Sequence, residues 1–261
     1  MQQLGNTHGA VLPGGLRPLS ARSVIASLLL GRRRPRASAA DLVRWCGLFA
    51  IAPGTARVGL HRMVAAGEMA RNADGYELVG ALADRQREQA ASLASRTRRW
   101  NGEWRLAVVG VTRARSAETR ADLRVALHRA RLAEWREGVW LRPHNLDDLV
   151  EDARCQWLGV RPDADPVALA ADLFAPAQWA RTAAGLHRDI VEVTERLREG
   201  DDGSLAHSFI AGASALHHIR ADPLLPVELL PDEWPGAMLR RAYVTYQRTF
   251  AAAARVFFRS K

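Results

Sequence analysis

Between Ser20 and Gly80, three short amphipathic stretches and a pair of β-prone runs follow one another with little chain to spare, and this order limits what the segment can fold into. Val24, Ile25, Leu28 and Leu29 recur at helical spacing, and Gly31 ends the run. Ser38 is placed to cap a second helix reaching about Gly47, with Leu42, Val43 and Trp45 as its apolar positions. Ile51-Ala52-Pro53-Gly54 then turns the chain, and Pro53 suits a first helical position, where its missing N–H is harmless. The third helix is expected to run to about Ala66, burying Ala56, Gly59, Leu60, Met63 and Val64, with Gly67 as its stop. Met69-Ala70-Arg71 and Tyr76-Glu77-Leu78 flank Asn72–Gly75, a hairpin with Asp-Gly in its turn.

Helix, helix, turn, helix, hairpin is the order of a winged helix-turn-helix, in which the third helix enters the DNA major groove. Its outward residues are then Thr55, Arg57, Val58, His61 and Arg62. Arg57 and Arg62 suit guanine or phosphate, and Thr55 and His61 suit shorter contacts. Arg71 and Asn72 on the wing are placed for the minor groove or backbone, and Arg32, Arg33, Arg34 and Arg36 for phosphates. A winged helix used only for protein contacts has the same element order, and charge separates the two readings. The chain has 36 arginines and one lysine, Lys261, so basicity as such reflects codon bias as readily as function. Its distribution is more telling: residues 1–100 hold 15 arginines against 6 acidic residues, whereas residues 101–261 hold 22 basic and 22 acidic. The whole formal charge of +9 therefore lies beside the expected recognition helix. A confined positive field favours a polyphosphate partner, because each neutralised phosphate releases counterions; a solvated basic surface is the bland alternative.

The rest of the chain alternates before turning helical. Trp104–Val111 reads as a buried strand, about 117–135 as a long helix, and Gly138–Pro143 as a second strand. Asn145–Arg154 reads as a short helix capped by Asn145, and Cys155–Val160 as a third strand. That pattern predicts a ferredoxin-like α/β sandwich. Helices are expected over about 166–173, 176–199, 204–220 and 236–258, with a proline-rich loop at 222–236. The fold class is thus α+β. Its parts are a disordered leader (1–19), a winged helix-turn-helix (20–80), a helical connector (81–100), a ferredoxin-like domain (101–165) and a helical dimerisation or effector domain (166–261). Cys46 and Cys155, far apart and unaccompanied, fit a reducing cytoplasm better than a disulfide framework. The apolar run Val24–Leu30 is too short for a bilayer, so no membrane partner is expected.

Three landmarks then line up: Thr-Ala-Arg-Val-Gly-Leu-His-Arg-Met-Val-Ala-Ala-Gly at 55–67, Gly-Val-Trp-Leu-Arg-Pro at 138–143, and Asp-Pro-Leu-Leu-Pro-Val-Glu-Leu-Leu-Pro-Asp-Glu-Trp-Pro-Gly at 222–236. With Trp100-Asn101-Gly102-Glu103-Trp104 they resemble the PaaX-type family of phenylacetate-degradation repressors, over about residues 20–258. The resemblance implies a homodimeric repressor that releases a double-stranded DNA operator when a small-molecule effector, an aryl- or acyl-CoA thioester, binds. Two positions depart from the family pattern: Ala52, where a serine cap is common, and Leu216–Arg220, where the family has Trp- and Arg-rich sequence. Under the resemblance, Trp140 is a candidate wall of an apolar effector pocket. Arg142, His144 and Arg220 are candidates for its phosphates, although core packing and ordinary ion pairs account for the same residues.

The central segment also looks like the CRISPR-associated ferredoxin-like nucleases, which place an aspartate at the end of the first strand. Here that position reads Val109-Gly110-Val111-Thr112, without a carboxylate to hold a cation. His217 and His218 are adjacent, so on a helix they point about 100° apart and do not form an i, i+4 zinc pair with each other; His207 and Asp222 complete no motif. No nucleophile elbow, Walker loop or dinucleotide fingerprint is present, so neither catalytic residues nor a cofactor are expected. The sequence therefore predicts a DNA-binding regulator rather than an enzyme. An effector-independent regulator or activator, and more distantly a nuclease with a DNA-binding appendage, are the rival readings.

Overall fold

The first two helices each start at a serine whose side chain closes the first turn. In the computed structural model, which describes residues 19–31, 36–73, 75–84, 86, 97–110 and 117–259, Ser20 Oγ accepts the Ser23 amide and Ser38 Oγ accepts the Asp41 amide. Helices α1 (Ala21–Leu30) and α2 (Ala39–Gly47) follow these caps. Helix α3 (Pro53–Ala65) starts on Pro53 with no side-chain cap. Strands β2 (Met69–Asn72) and β3 (Gly75–Leu78) form the expected antiparallel hairpin. A two-residue strand with no sequence signal, β1 (Arg36–Ala37), pairs with the other side of β3 and gives the sheet order β1-β3-β2. The leader up to residue 18, Arg32–Arg34, Asp74 of the hairpin turn and most of the connector lie outside the described residues.

The chain divides into two compact units: Met1–Ser92 with Asp189–Ser214 and Ala242–Lys261, and Leu93–Arg188 with Ala215–Arg241. Helices α6 (Pro176–Arg198), α7 (Leu205–Arg220) and α8 (Gly236–Arg259) contribute residues to both. Residues 166–188 and 215–241 fall in the second unit, and 189–214 and 242–261 in the first.

In the first unit Val24, Ile25, Leu28 and Leu29 of α1, Leu42, Trp45 and Cys46 of α2, and Ala56, Leu60 and Met63 of α3 make one core. Trp45 is fully buried. Phe209 of α7 and Phe250, Phe257 and Phe258 of α8 set their ring centroids 5.5, 6.0, 5.8 and 5.7 Å from it. Three of these four pairs meet edge to face, the arrangement that sets the positive ring edge against the negative face. Arg44 lies 4.3 Å over the Phe257 ring, closing the cluster on its solvent side.

The second unit is built on four antiparallel strands: β4 (Trp104–Val109), β5 (Ala133–Arg136), β6 (Val139–Pro143) and β7 (Cys155–Val160), in the order β5-β6-β4-β7. Counted from the first strand of this unit, that is the 4-1-3-2 order of a ferredoxin-like sheet. Register sorts the side chains by face: Leu106 sits opposite Leu141 and Leu158, and Ala107 opposite Trp140 and Trp157. The Ala107 face packs on Leu123 and Leu127 of α4 (Ala117–Arg129), and the Trp104–Leu141 face on Leu169 of α5 (Pro166–Phe174) and on Leu225 and Leu229.

Two sequence expectations are corrected here. The helix expected to run to residue 135 stops at Arg129, because Arg131 takes a positive φ of 61° and the chain returns as β5, a strand the sequence did not announce. The helix expected over 145–154 is absent. Asn145 spends its side chain elsewhere: Oδ1 accepts from Arg142 Nη2 at 2.8 Å, and Nδ2 donates to the Leu224 carbonyl at 2.9 Å. Among the described residues no helix is long and apolar enough to cross a membrane.

Two outcomes follow from this packing. Replacing Phe257 and Phe258 by Ala is expected to cost about 2–4 kcal/mol and to speed amide exchange in α2, the helix that carries Trp45; unchanged α2 exchange would contradict it. Burial pushes the Cys46 thiol up to about 11, so it stays protonated at neutral pH. Native chain should resist iodoacetamide at Cys46 and react there after denaturation, as read by mass spectrometry.

Candidate nucleic-acid interface

The helix α3 is held from one side only. Ala56, Leu60 and Met63 are buried, while Thr55, Arg57, Val58, His61 and Arg62 are all exposed, as the helical spacing requires. Val64, expected in the buried stripe, instead lies 36% exposed. It falls about 100° past Met63, beyond the edge of the core-facing stripe. Gly59 fits the expectation differently, because a Cβ there would sit 2.9 Å from the Ala21 Cβ. Its missing side chain sets how closely α1 and α3 approach. Helix α3 carries no acidic residue, and its first-turn N–H groups have no side-chain cap. Its positive dipole end is therefore uncompensated from within the helix.

Beside this face runs an open groove of about 720 Å³, lined among others by Ser20, Arg22, Thr55, Val58, Arg62 and Glu68. Arg22 has no sequence signal of its own, yet it joins the site from α1 through a fork of bonds to Glu68, with Nε 2.8 Å from Oε2. The bond from Arg22 holds the Glu68 carboxyl below its ordinary range and raises the guanidinium in return. On the β2–β3 hairpin, Arg71 is exposed and Asn72 half-buried. Arg36 lies in β1, and its guanidinium is ion-paired with Glu77 at 2.9 Å. The expected phosphate contacts of Arg32, Arg33 and Arg34 fall outside the described residues.

The four effector candidates, all in the second unit, have other partners. Arg142 is fully buried and spends its donors on the Pro143, Ala130 and Arg131 carbonyls and on Asn145, so it has no free edge for a phosphate. Burial, and then the neighbouring Arg131, push its pKa down to about 9. Trp140 is packed into the α4 face of the sheet, edge-on to His128 at 4.9 Å. His144 pairs with Glu103 at 3.2 Å. Arg220 ends α7, and its carbonyl accepts from Arg131 at 3.1 Å. Arg142 and Trp140 are both buried within the unit, where their contacts are made with the protein itself. No group of three or more His, Cys, Asp or Glu residues able to hold a metal occurs among the described residues. His218 instead stacks on Trp179 at 4.5 Å, its Nε2 2.9 Å from the Trp179 carbonyl.

Three family models match the chain in order. They are a PaaX-like protein over residues 20–85, the PaaX protein central Cas2-like domain over 97–161, and the PaaX-like protein C-terminal domain over 173–260. The chain belongs to the PaaX family. PaaX proteins are transcriptional regulators, and the exposed face of α3 lies within the first matched segment. This PaaX chain is also similar to the solved structure of an uncharacterized protein, Rv0674, from Mycobacterium tuberculosis. The two share 40% identity with a TM-score of 0.70, over 91% of this chain and 98% of that one. No curated protein matches the chain.

The geometry of α3 gives a paired expectation. Gly59→Ala gains about 1 kcal/mol of helix propensity but overpacks Ala21 at a cost of about 1–3 kcal/mol, so unfolding should show no gain or a net loss. Gly54→Ala, where a Cβ meets nothing within 4 Å, should be neutral or stabilising. Equal stabilisation by both substitutions would contradict the α1–α3 contact.

Proposed function

We propose that this PaaX-family protein is a sequence-specific DNA-binding repressor that acts as a homodimer, with the outward face of α3 in the major groove. The observation that carries the reading is that face itself: Thr55, Arg57, Val58, His61 and Arg62 exposed on a helix without acidic residues. Arg57 and Arg62 would meet guanine or phosphate, Thr55 and His61 shorter partners, and Arg71 and Asn72 the flanking backbone. Arg22 and Arg62, both on the groove beside α3, would follow one phosphate strand. Two such heads on a palindromic operator sit one helical turn, ~34–36 Å, or a multiple of it apart. Release by an aryl- or acyl-CoA thioester completes the proposal and rests on the family resemblance. The thioester acts only through a difference in affinity between DNA-competent and incompetent arrangements. The Cas2-like sheet is read as a scaffold, because its first strand ends in Val109-Gly110 without a carboxylate.

An effector-independent regulator is the second reading, favoured by the burial of Arg142 and Trp140. Thermal melts with and without an aryl-CoA thioester separate the two: stabilisation supports effector binding, and an unchanged melting temperature supports the second reading.

Fluorescence anisotropy against the upstream region of the gene tests the main claim. A sequence-specific complex is expected at moderate salt, and its absence would remove the DNA-binding reading. If Arg62 meets phosphate, Arg62→Ala should lower the salt slope by about one ion for every sequence; if it reads a guanine, about 1–3 kcal/mol should be lost at one base pair. Glu68→Gln should strengthen binding to all duplexes, since it removes a negative charge from the groove and releases Arg22. Stability should change by less than about 1 kcal/mol, the usual worth of an exposed ion pair.

A further inference from the structure

Val58 stands out on α3. It is half exposed, 50%, on a surface otherwise offered by Thr55, Arg57, His61 and Arg62. At about 100° per residue, the buried stripe Ala56, Leu60 and Met63 centres on a line almost diametrically opposite Val58. Val58 therefore lies close to the line of α3 that faces directly away from the core. Gly54 lies one turn before it on nearly the same line, with open space where a Cβ would be, and exposed Ala65 lies two turns after Val58. The centre of the outward face is thus small and apolar, and the polar and basic groups stand to either side.

A helix surface meant only for water gains nothing from this layout. Valine loses χ1 freedom in a helix and leaves two methyl groups wetted. The layout does suit an edge that has to come close to a partner. The charge around it selects the partner: α3 offers two arginines and a histidine and no acid. Among base edges in the major groove, the 5-methyl of thymine is the apolar group, and an aliphatic side chain is its match. Arginine, threonine and histidine beside it supply hydrogen bonds and phosphate contacts. Valine supplies none and can contribute only by packing.

We infer that Val58 reads the 5-methyl group of a thymine in each operator half-site. The inference rests on the DNA-binding reading above and makes it chemically specific: the half-site holds a thymine whose value to the protein lies in its methyl group rather than its hydrogen-bonding pattern.

Deoxyuridine tests this, because it keeps thymine pairing and removes only that methyl. Operator duplexes are selected from a random pool with the full-length chain. Each thymine is then replaced singly by deoxyuridine, and affinities are read by anisotropy for wild type and for Val58→Ala. One thymine per half-site is expected to lose about fourfold in affinity, the worth of one buried methyl-sized group. The same replacement should leave Val58→Ala unaffected. Val58 is exposed, so the variant is expected to fold, and circular dichroism checks this. Tolerance of deoxyuridine at every thymine by a tightly bound wild type would overturn the inference and leave DNA binding intact. So would a sensitive thymine that stays equally sensitive in Val58→Ala, since another residue would then be reading it. Failure of selection to enrich any sequence would overturn the DNA-binding reading and this inference together.

Discussion

Part of the surface that buries Trp45 comes from far along the chain. Four phenylalanines from α7 and α8 reach its ring, while Ile25, Leu42 and Met63 belong to the same core from the N-terminal side. Each aromatic pair adds about 0.5–1.5 kcal/mol beyond burial of its area. That gain is set against a loss: the Trp45 indole N–H is buried and finds no acceptor among the described residues. The balance favours the cluster because the rings remove a large apolar area from water. With Trp45 fixed, α2 is fixed, and α3 packs on α1 and α2 with its other side free. The exposed face proposed to read DNA therefore depends on residues nearly two hundred positions later.

The second unit has a comparable constraint, arginines gathered around the buried residue Asp222. Asp222, almost fully buried, receives Arg240 at 2.7 Å and the Leu224 amide at 2.8 Å, while Arg131 donates to the Asp222 carbonyl. This pins the start of the proline-rich loop, whose Leu225 and Leu229 then cover one face of the sheet against Trp104 and Leu141. The 222–236 landmark thus has a packing role. Buried Asp222 holds the loop where Leu225 and Leu229 close a core, and Asn145 donates to the Leu224 carbonyl.

What was legible in the sequence was what is decided locally. Ser38 and Pro53 mark helix starts by their own chemistry, and the apolar run in Gly-Val-Trp-Leu-Arg-Pro marks a strand. Features set by distant partners were not legible. β1 exists because β3 offers it an edge 41 residues later, and β5 because Arg131 turns the chain in a conformation its residue type does not signal. Asn145 has the composition of a helix cap, and Arg142 that of a ligand arginine. Each is diverted by the other, since Arg142 Nη2 donates to Asn145 Oδ1 inside the unit. The outward residues of α3 could be listed from periodicity alone, but the groove beside them could not. Arg22 and Glu68 meet across 46 residues.

The central claim is that the free face of α3 is the surface that meets DNA. Its most direct test is the side-chain Nε–H spectrum of the arginines, recorded by NMR with and without an operator duplex. The account predicts that Arg57 and Arg62 shift and gain protection from exchange on binding, while buried Arg142 does not change. Shifts confined to arginines of the sheet unit, with Arg57 and Arg62 unmoved in a formed complex, would contradict it.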